Sequence, residues 1–178
     1  HLRFRPGEFG RPKKGGGDQD GLSTLGGAHD VLVDHCSFSW ATDENLSVGG
    51  PRFNGPDAAA WRRATSHDIT YSHNLIYEGL GESVHEKGEH SKGSLIHDNA
   101  SGVLLFGNVY ASNRERNALF KGGSQLKSLL GNARNLMSGS ADFVVQGLPY
   151  EAKYDQRAYN QADPNPEPCP KTHLRRQN

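Results

Sequence analysis

Ala28-His-Asp-Val-Leu-Val-Asp-His-Cys36 can be laid directly over Ser66-His-Asp-Ile-Thr-Tyr-Ser-His-Asn74 when the chain is compared with itself. Both stretches read His-Asp-apolar-x-apolar-x-His, and both run on, through a small or polar residue, into Ser-Phe or Leu-Ile. A third copy, Ala100 to Asn108, keeps Val103 and Leu105 in the same places and sets Asn108 where Asn74 stood. A weaker fourth ends at Asn135-Leu-Met137. Each unit is too short to bury its own apolar face. Alternating residues such as Val31 and Val33, Ile69 and Tyr71, or Val103 and Leu105 point to one side of a strand. Stacking the units would join those sides into one interior column. The copies recur at unequal intervals, on the order of 27 to 38 residues, which suits neither a propeller nor a leucine-rich repeat. A solenoid whose turns are joined by loops of variable length accommodates them.

The expected fold is therefore all-β, a right-handed single-stranded parallel β-helix. Strands are predicted near 30–39, 68–77, 94–97, 102–110 and 126–137, with loops at 6–21, 49–64, 78–92 and 111–125. Asn74, Asn108 and Asn135 are expected to form an amide column at one bend, hydrogen-bonding along the stack. Residues 1–145 are assigned to the coils. Residues 146–178 are polar and Pro-rich, ending in Asp163-Pro-Asn-Pro-Glu-Pro-Cys-Pro170, and are read as a surface tail. The competing architecture is a sandwich in which two His-Asp strands are alike by chance.

Composition narrows the function. The 178 residues carry 20 basic and 20 acidic side chains, so the basic excess of a nucleic-acid binder is missing. No apolar run of about 18 residues suggests a membrane-crossing helix. The 22 glycines fit many tight turns and short strands. Cys36 and Cys169 do not make a disulfide scaffold, and Cys36 reads as a small hydrophobe in an apolar strand. His1-Leu-Arg-Phe-Arg-Pro6 reads as the end of a strand, so the sequence is expected to be a fragment or processed chain, and the lack of a leader says nothing about export.

Three segments in order resemble the landmarks of the family 1 pectate lyases. They are Val33-Asp-His-Cys-Ser-Phe-Ser-Trp40, then Ser72-His-Asn-Leu-Ile76, then Gly107-Asn-Val-Tyr-Ala-Ser-Asn-Arg-Glu-Arg-Asn117. The resemblance runs from about Arg3 to Asn135 and rests on order and spacing together. It implies a secreted or periplasmic, monomeric enzyme that cleaves an acidic polysaccharide such as polygalacturonate by calcium-assisted β-elimination, with no nucleic-acid or membrane partner.

The same resemblance implies a site. Asp18 and Asp20 fall where the family places two calcium-binding aspartates, and residues two apart on an extended segment can share a cation. Without that resemblance, Gly15-Gly-Gly-Asp-Gln-Asp-Gly21 would be an ordinary solvated turn. Asp43 matches the first of two further acids in the next coil. The second falls on Ser47, a departure for which neighbouring Glu44 is the substitute. Arg116 falls on the catalytic arginine, Lys121 stands where the family has a second Arg, and Ala118 replaces a Pro. Lys92 matches a substrate-binding lysine, and Arg114 and Lys121 are expected to bind substrate with it. Lysine at 121 keeps the charge but loses the bidentate fork that suits a carboxylate. In the implied chemistry the cation and Lys92 and Lys121 would take up the uronate carboxylate's charge while Arg116 removes the C5 proton.

Two competitors are a polysaccharide hydrolase on the same fold, which needs paired carboxylates, and a β-helix that only binds carbohydrate. Among the histidines, His35 and His73 occupy equivalent repeat positions and are read as structural. His85 and His90 flank charged residues in a loop, a weak signal for a transition metal. Trp40, Trp61, Tyr77 and Tyr110 are candidates for a sugar groove, against the commoner fate of strand aromatics, which is burial.

Overall fold

A computed structural model describes residues 1–8, 10 and 17–124, together with the strand backbone of 126–130 and 133–134. The described chain runs β1 (Arg3–Phe4), β2 (Leu22–Thr24), β3 (His29–Asp34), β4 (Ser37–Phe38), β5 (Leu46–Val48), α1 (Ala58–Ala64), β6 (His67–Ser72), β7 (Leu75–Tyr77), β8 (Leu95–Ile96), β9 (Val103–Phe106), β10 (Val109–Ala111), β11 (Leu119–Phe120), β12 (Leu126–Leu130) and β13 (Ala133–Arg134). The strands form three parallel sheets, ordered β1-β4-β7-β10-β13, β2-β5-β8-β11 and β3-β6-β9-β12. Each turn of the chain thus adds one strand to each sheet, which is the parallel β-helix the repeat predicted.

The repeat copies stack in the register read from the sequence. His29 pairs with His67, Val31 with Ile69 and Val33 with Tyr71, and Tyr71 then pairs with Leu105. Ile69, Tyr71, Val103 and Leu105 are fully buried, and Leu46, Val48, Ile96, Phe38, Ile76 and Tyr110 join them from the other two sheets. Burying each such side chain is worth roughly 1.5–3 kcal/mol, which is what closes the three sheets on one interior.

The His-Asp repetition has a backbone cause. Asp30 and Asp68 open their strands at φ 54° and 52°, and His35 and His73 follow theirs at φ 51°. Short polar residues and histidine tolerate this left-handed region better than most. The third copy meets the same demand with Gly102 and Gly107. The His29 and His67 rings stack at 4.9 Å between centroids and those of His35 and His73 at 4.8 Å, so these histidines are part of the stack.

The amide column is present where it can be seen. Asn74 is buried, accepts from the Cys36 N–H at 2.9 Å, and donates to the Val33 carbonyl and to Asn108 Oδ1 at 2.9 and 3.0 Å. Asn135, and the boundary and tail assigned to 146–178, lie outside the described residues.

The reading of strands missed β2, β5 and β11, which are two or three residues long and too short to show a period. It also gave 49–64 as loop, whereas Ala58–Ala64 is a helix. Asp57 caps it by accepting from the Ala60 N–H at 2.8 Å, and the alanine run that follows favours it. Among the described residues, no helix is long and apolar enough to cross a membrane.

Candidate functional site

The three short strands missed by periodicity belong to the sheet that carries the site. Ser23 pairs with Ser47, and Val48 with Ile96, while Leu46, Val48 and Ile96 belong to the interior. The alternate residues Ser23, Ser47, Leu95 and His97 line a groove with a volume of about 770 Å³ along this sheet. The chain enters these strands along one shared edge. Asp18 and Asp20 precede β2, Asp43 and Glu44 precede β5, Lys92 precedes β8, and Arg114 to Arg116 precede β11. Single bridges from Glu44 to Lys92 and from Lys92 to Glu115 extend the ladder across that edge. Charged residues far apart in sequence therefore recur one strand spacing, about 4.8 Å, apart.

A second buried amide column holds this edge. Asn45 donates to Asn113 Oδ1 at 3.0 Å, and Asn113 donates to Asn117 Oδ1 at 3.1 Å. Asn45 directly follows Glu44 and Asn117 directly follows Arg116, so the column fixes the backbone that presents both.

Asp18, Asp20, Asp43, Glu44, Arg116 and Lys121 all line the groove. Carboxylate oxygens of Asp20, Asp43 and Glu44 lie within 4.8 Å of one another. Asp18 is exposed and lies outside that triad, so the adjacent pair Asp43 and Glu44, rather than Asp18, completes the set with Asp20. Glu44 is buried and ion-paired with Arg116. Ser47, where the resemblance expects an acid, faces Asp20 with its hydroxyl and lowers that carboxyl's pKa, as does Ser23. Burial outweighs them and, with the charge of Asp43, pushes Asp20 up to about 6.

The remaining expected residues are placed differently. Lys92 is buried, and its Nζ donates to Glu115 Oε2 at 2.5 Å. Arg114 is exposed and paired with Glu89. Neither lines the groove. Trp40 is exposed, Tyr77 packs under Arg5, Trp61 packs against Phe53 and Tyr110 is buried, and none of the four lines the groove either.

Three histidines matter more than the sequence indicated. His97 lines the groove beside Gly49, where a Cβ would sit 2.5 Å from its Nε2. Its Nδ1 is 2.7 Å from Asp98 Oδ2, and Asp98 also accepts from Arg52 Nε at 2.6 Å. His97-Asp98 repeats the dipeptide of the strands, the one signal that could have singled it out. His85 and His90 are buried and stacked at 3.9 Å, next to Asp43. Burial pushes the His90 pKa down against the opposing pull of Asp43.

The donor set can be tested against a cation. Three clustered carboxylates offer only oxygen, the preference of a hard divalent ion. Asp20 is disfavoured as an anion by burial and by Asp43, so positive charge placed among them would relieve the repulsion. The residues fit calcium.

Against proteins of known family, no family model matches the chain and no solved structure matches it. It is 33% identical over 122 residues to a probable pectate lyase C of Emericella nidulans, covering 68% of this chain and 22% of that protein. It is 31% identical over 122 residues to a probable pectate lyase C of Aspergillus terreus, with the same coverage. For that of Neosartorya fischeri the identity is 32% over 114 residues, or 63% of this chain and 22% of the relative. The chain is thus similar over about two thirds of its length to proteins named probable pectate lyase C, and spans 22% of the length of those relatives.

Proposed function

We propose that this chain carries the catalytic groove of a polysaccharide lyase that cleaves polygalacturonate, or a related uronate polymer, by calcium-assisted β-elimination. The observation that carries the reading is the meeting, in one groove, of the acid triad Asp20, Asp43 and Glu44 with the cations Arg116 and Lys121. Elimination breaks the C5–H bond, forms a C4–C5 double bond and expels the glycosidic oxygen from C4. The C5 proton is removable only when the neighbouring carboxylate is neutralised. Asp20, Asp43 and Glu44 would hold calcium, with Asp18 beside them, and the ion when bound would supply that neutralisation. Lys121 adds a point charge for a uronate carboxylate. Lys92, buried against Glu115, would brace the rim from behind, and the exposed Arg114, paired with Glu89, would meet the longer polymer.

Arg116 is assigned the C5 proton. A guanidinium is ordinarily protonated, and here it is ion-paired with Glu44. Glu44 belongs to both arrangements, and as a ligand to a bound cation it would hold Arg116 less tightly. As the resemblance implies, alkaline working conditions and a cationic neighbourhood would favour the neutral base. An acidic plant polymer is met outside the cell, so secretion goes with this reading.

One observation favours a second reading, a hydrolase. Burial, with the charge of Asp43, pushes Asp20 up to about 6, the direction a general acid requires. The test is ultraviolet absorbance of a 4,5-unsaturated uronide during digestion of polygalacturonate at alkaline pH, with calcium or with chelator. The lyase reading expects a calcium-dependent rise that Arg116→Ala loses by about a thousandfold, the scale of a lost catalytic group. Cleavage without absorbance would favour the hydrolase, and binding without cleavage a carbohydrate-binding module.

A further inference from the structure

The segment between β7 and β8 folds back over the entry to β5. The Leu80 N–H donates to the Ala41 carbonyl at 3.0 Å, and the buried Val84 donates its N–H to Glu8 Oε2 at 2.9 Å. This brings His85 and His90, 3% and 5% exposed, against Asp43. Their rings lie parallel to within 12°. His90 Nε2 is 2.6 Å from Asp43 Oδ1, and His85 Nε2 faces Asp43 Oδ2 at 3.7 Å.

The proton positions follow from the partners. The Lys87 N–H donates to His85 Nδ1 at 3.1 Å, which makes Nδ1 the acceptor and places the ring proton on Nε2. That nitrogen is buried, makes no hydrogen bond among the described residues, and faces Asp43 Oδ2. Ligation of a transition metal would need a lone pair at Nε2 and is opposed by this tautomer. What remains is one N–H hydrogen-bonded to the carboxylate, from His90, and a second facing it beyond bonding distance, from His85.

We infer that His85 and His90 are positioning residues that aim Asp43 into the acid triad and so set the groove's affinity for calcium. This rests on the reading of the triad as a cation site. The choice of imidazole has a physical reason. A neutral N–H donor fixes a carboxylate and leaves its negative charge for the ion, whereas Lys or Arg in its place would neutralise that charge. Outer partners of this kind change metal affinity by about tenfold to a hundredfold when removed.

Calorimetric titration with calcium chloride, on the whole chain, tests the inference. His90→Leu, which keeps bulk but has no donor, is expected to bind calcium at least about tenfold more weakly than wild type. His90→Gln, which keeps a donor of similar reach, is expected to stay within about threefold, since a retained hydrogen bond costs little. Circular dichroism in chelator identifies variants that fail to fold. Should His90→Leu be one of them, His90→Asn, whose amide is too short to reach Asp43, takes its place with the same expectation. Equal calcium affinity in folded His90→Leu or His90→Asn and wild type would overturn the inference while leaving the triad standing. Zinc binding that His85→Leu abolishes would also overturn it, in favour of a metal ligand. No calcium binding by wild type would overturn the cation reading itself, and the positioning role with it.

Discussion

Asp20 couples the site to stability. In the folded chain burial and Asp43 lift its pKa to about 6, while an aspartate in an unfolded chain titrates near 4. Between those values the folded state holds the proton more tightly, so stability falls as pH rises from about 4 to about 6 and stays lower above. The linkage amounts to at most about 3 kcal/mol. Asp20→Asn removes the buried charge and is expected to melt above wild type in chelator near pH 8, with the two converging near pH 4. Equal melting at both pH values would show that Asp20 carries no such penalty. Asp18, Asp20, Asp43, Glu44, Arg116 and Lys121 were singled out by their match to the family's order and spacing, and stacked turns bring all six to one groove. The departure at Ser47 was legible too, and Glu44, read as its substitute, lies in the cluster with Asp20 and Asp43. Adjacent residues on a strand face opposite ways, so only the irregular bend before β5 lets Asp43 and Glu44 turn into the same groove. The approach of His85 and His90 to Asp43 depends on a loop folding back, which no local pattern encodes.

The strands follow from pattern where they are long enough to have one. β3, β6 and β9 alternate over four to six residues and were read with their register. The site sheet is built of two- and three-residue strands and is held by what lies between them. Its amide column, Asn45 to Asn113 to Asn117, escaped notice because its members sit in no repeated sequence motif. The column at Asn74 was visible, and it offers a direct test. Asn74→Ala removes the acceptor of the Cys36 N–H and the donor to Val33. A loss of about 2–4 kcal/mol is expected on denaturant unfolding, from buried groups left unpaired. A change below about 0.5 kcal/mol would mean the column is incidental. Gly21 makes a sharper point, since a Cβ there would sit 2.3 Å from the Asn45 carbonyl oxygen. Gly21→Ala is expected to lower the melting temperature and to weaken calcium binding together, because that backbone contact joins Asp20 to the edge carrying Glu44. Thermal melts and calcium titration of the same sample check whether the two effects travel together.

For the molecule as a whole, cation binding and folding are linked. A ligand held only by the folded state stabilises it by about 2.7 kcal/mol at a hundred times its dissociation constant. Calcium is accordingly expected to raise the melting temperature and chelator to reverse the rise, with Asp43→Asn insensitive to both. The overall architecture was open to reading because repetition at unequal intervals with a fixed apolar alternation leaves few folds to choose among. The chemistry was less open, because it depends on which side chains share the groove. The most direct test is mass spectrometry of a defined oligogalacturonate after incubation with the chain and calcium. Elimination predicts two fragments whose masses sum to that of the substrate, one bearing the double bond. Fragments whose masses sum to the substrate plus one water, or an intact substrate with a folded protein, would contradict the account.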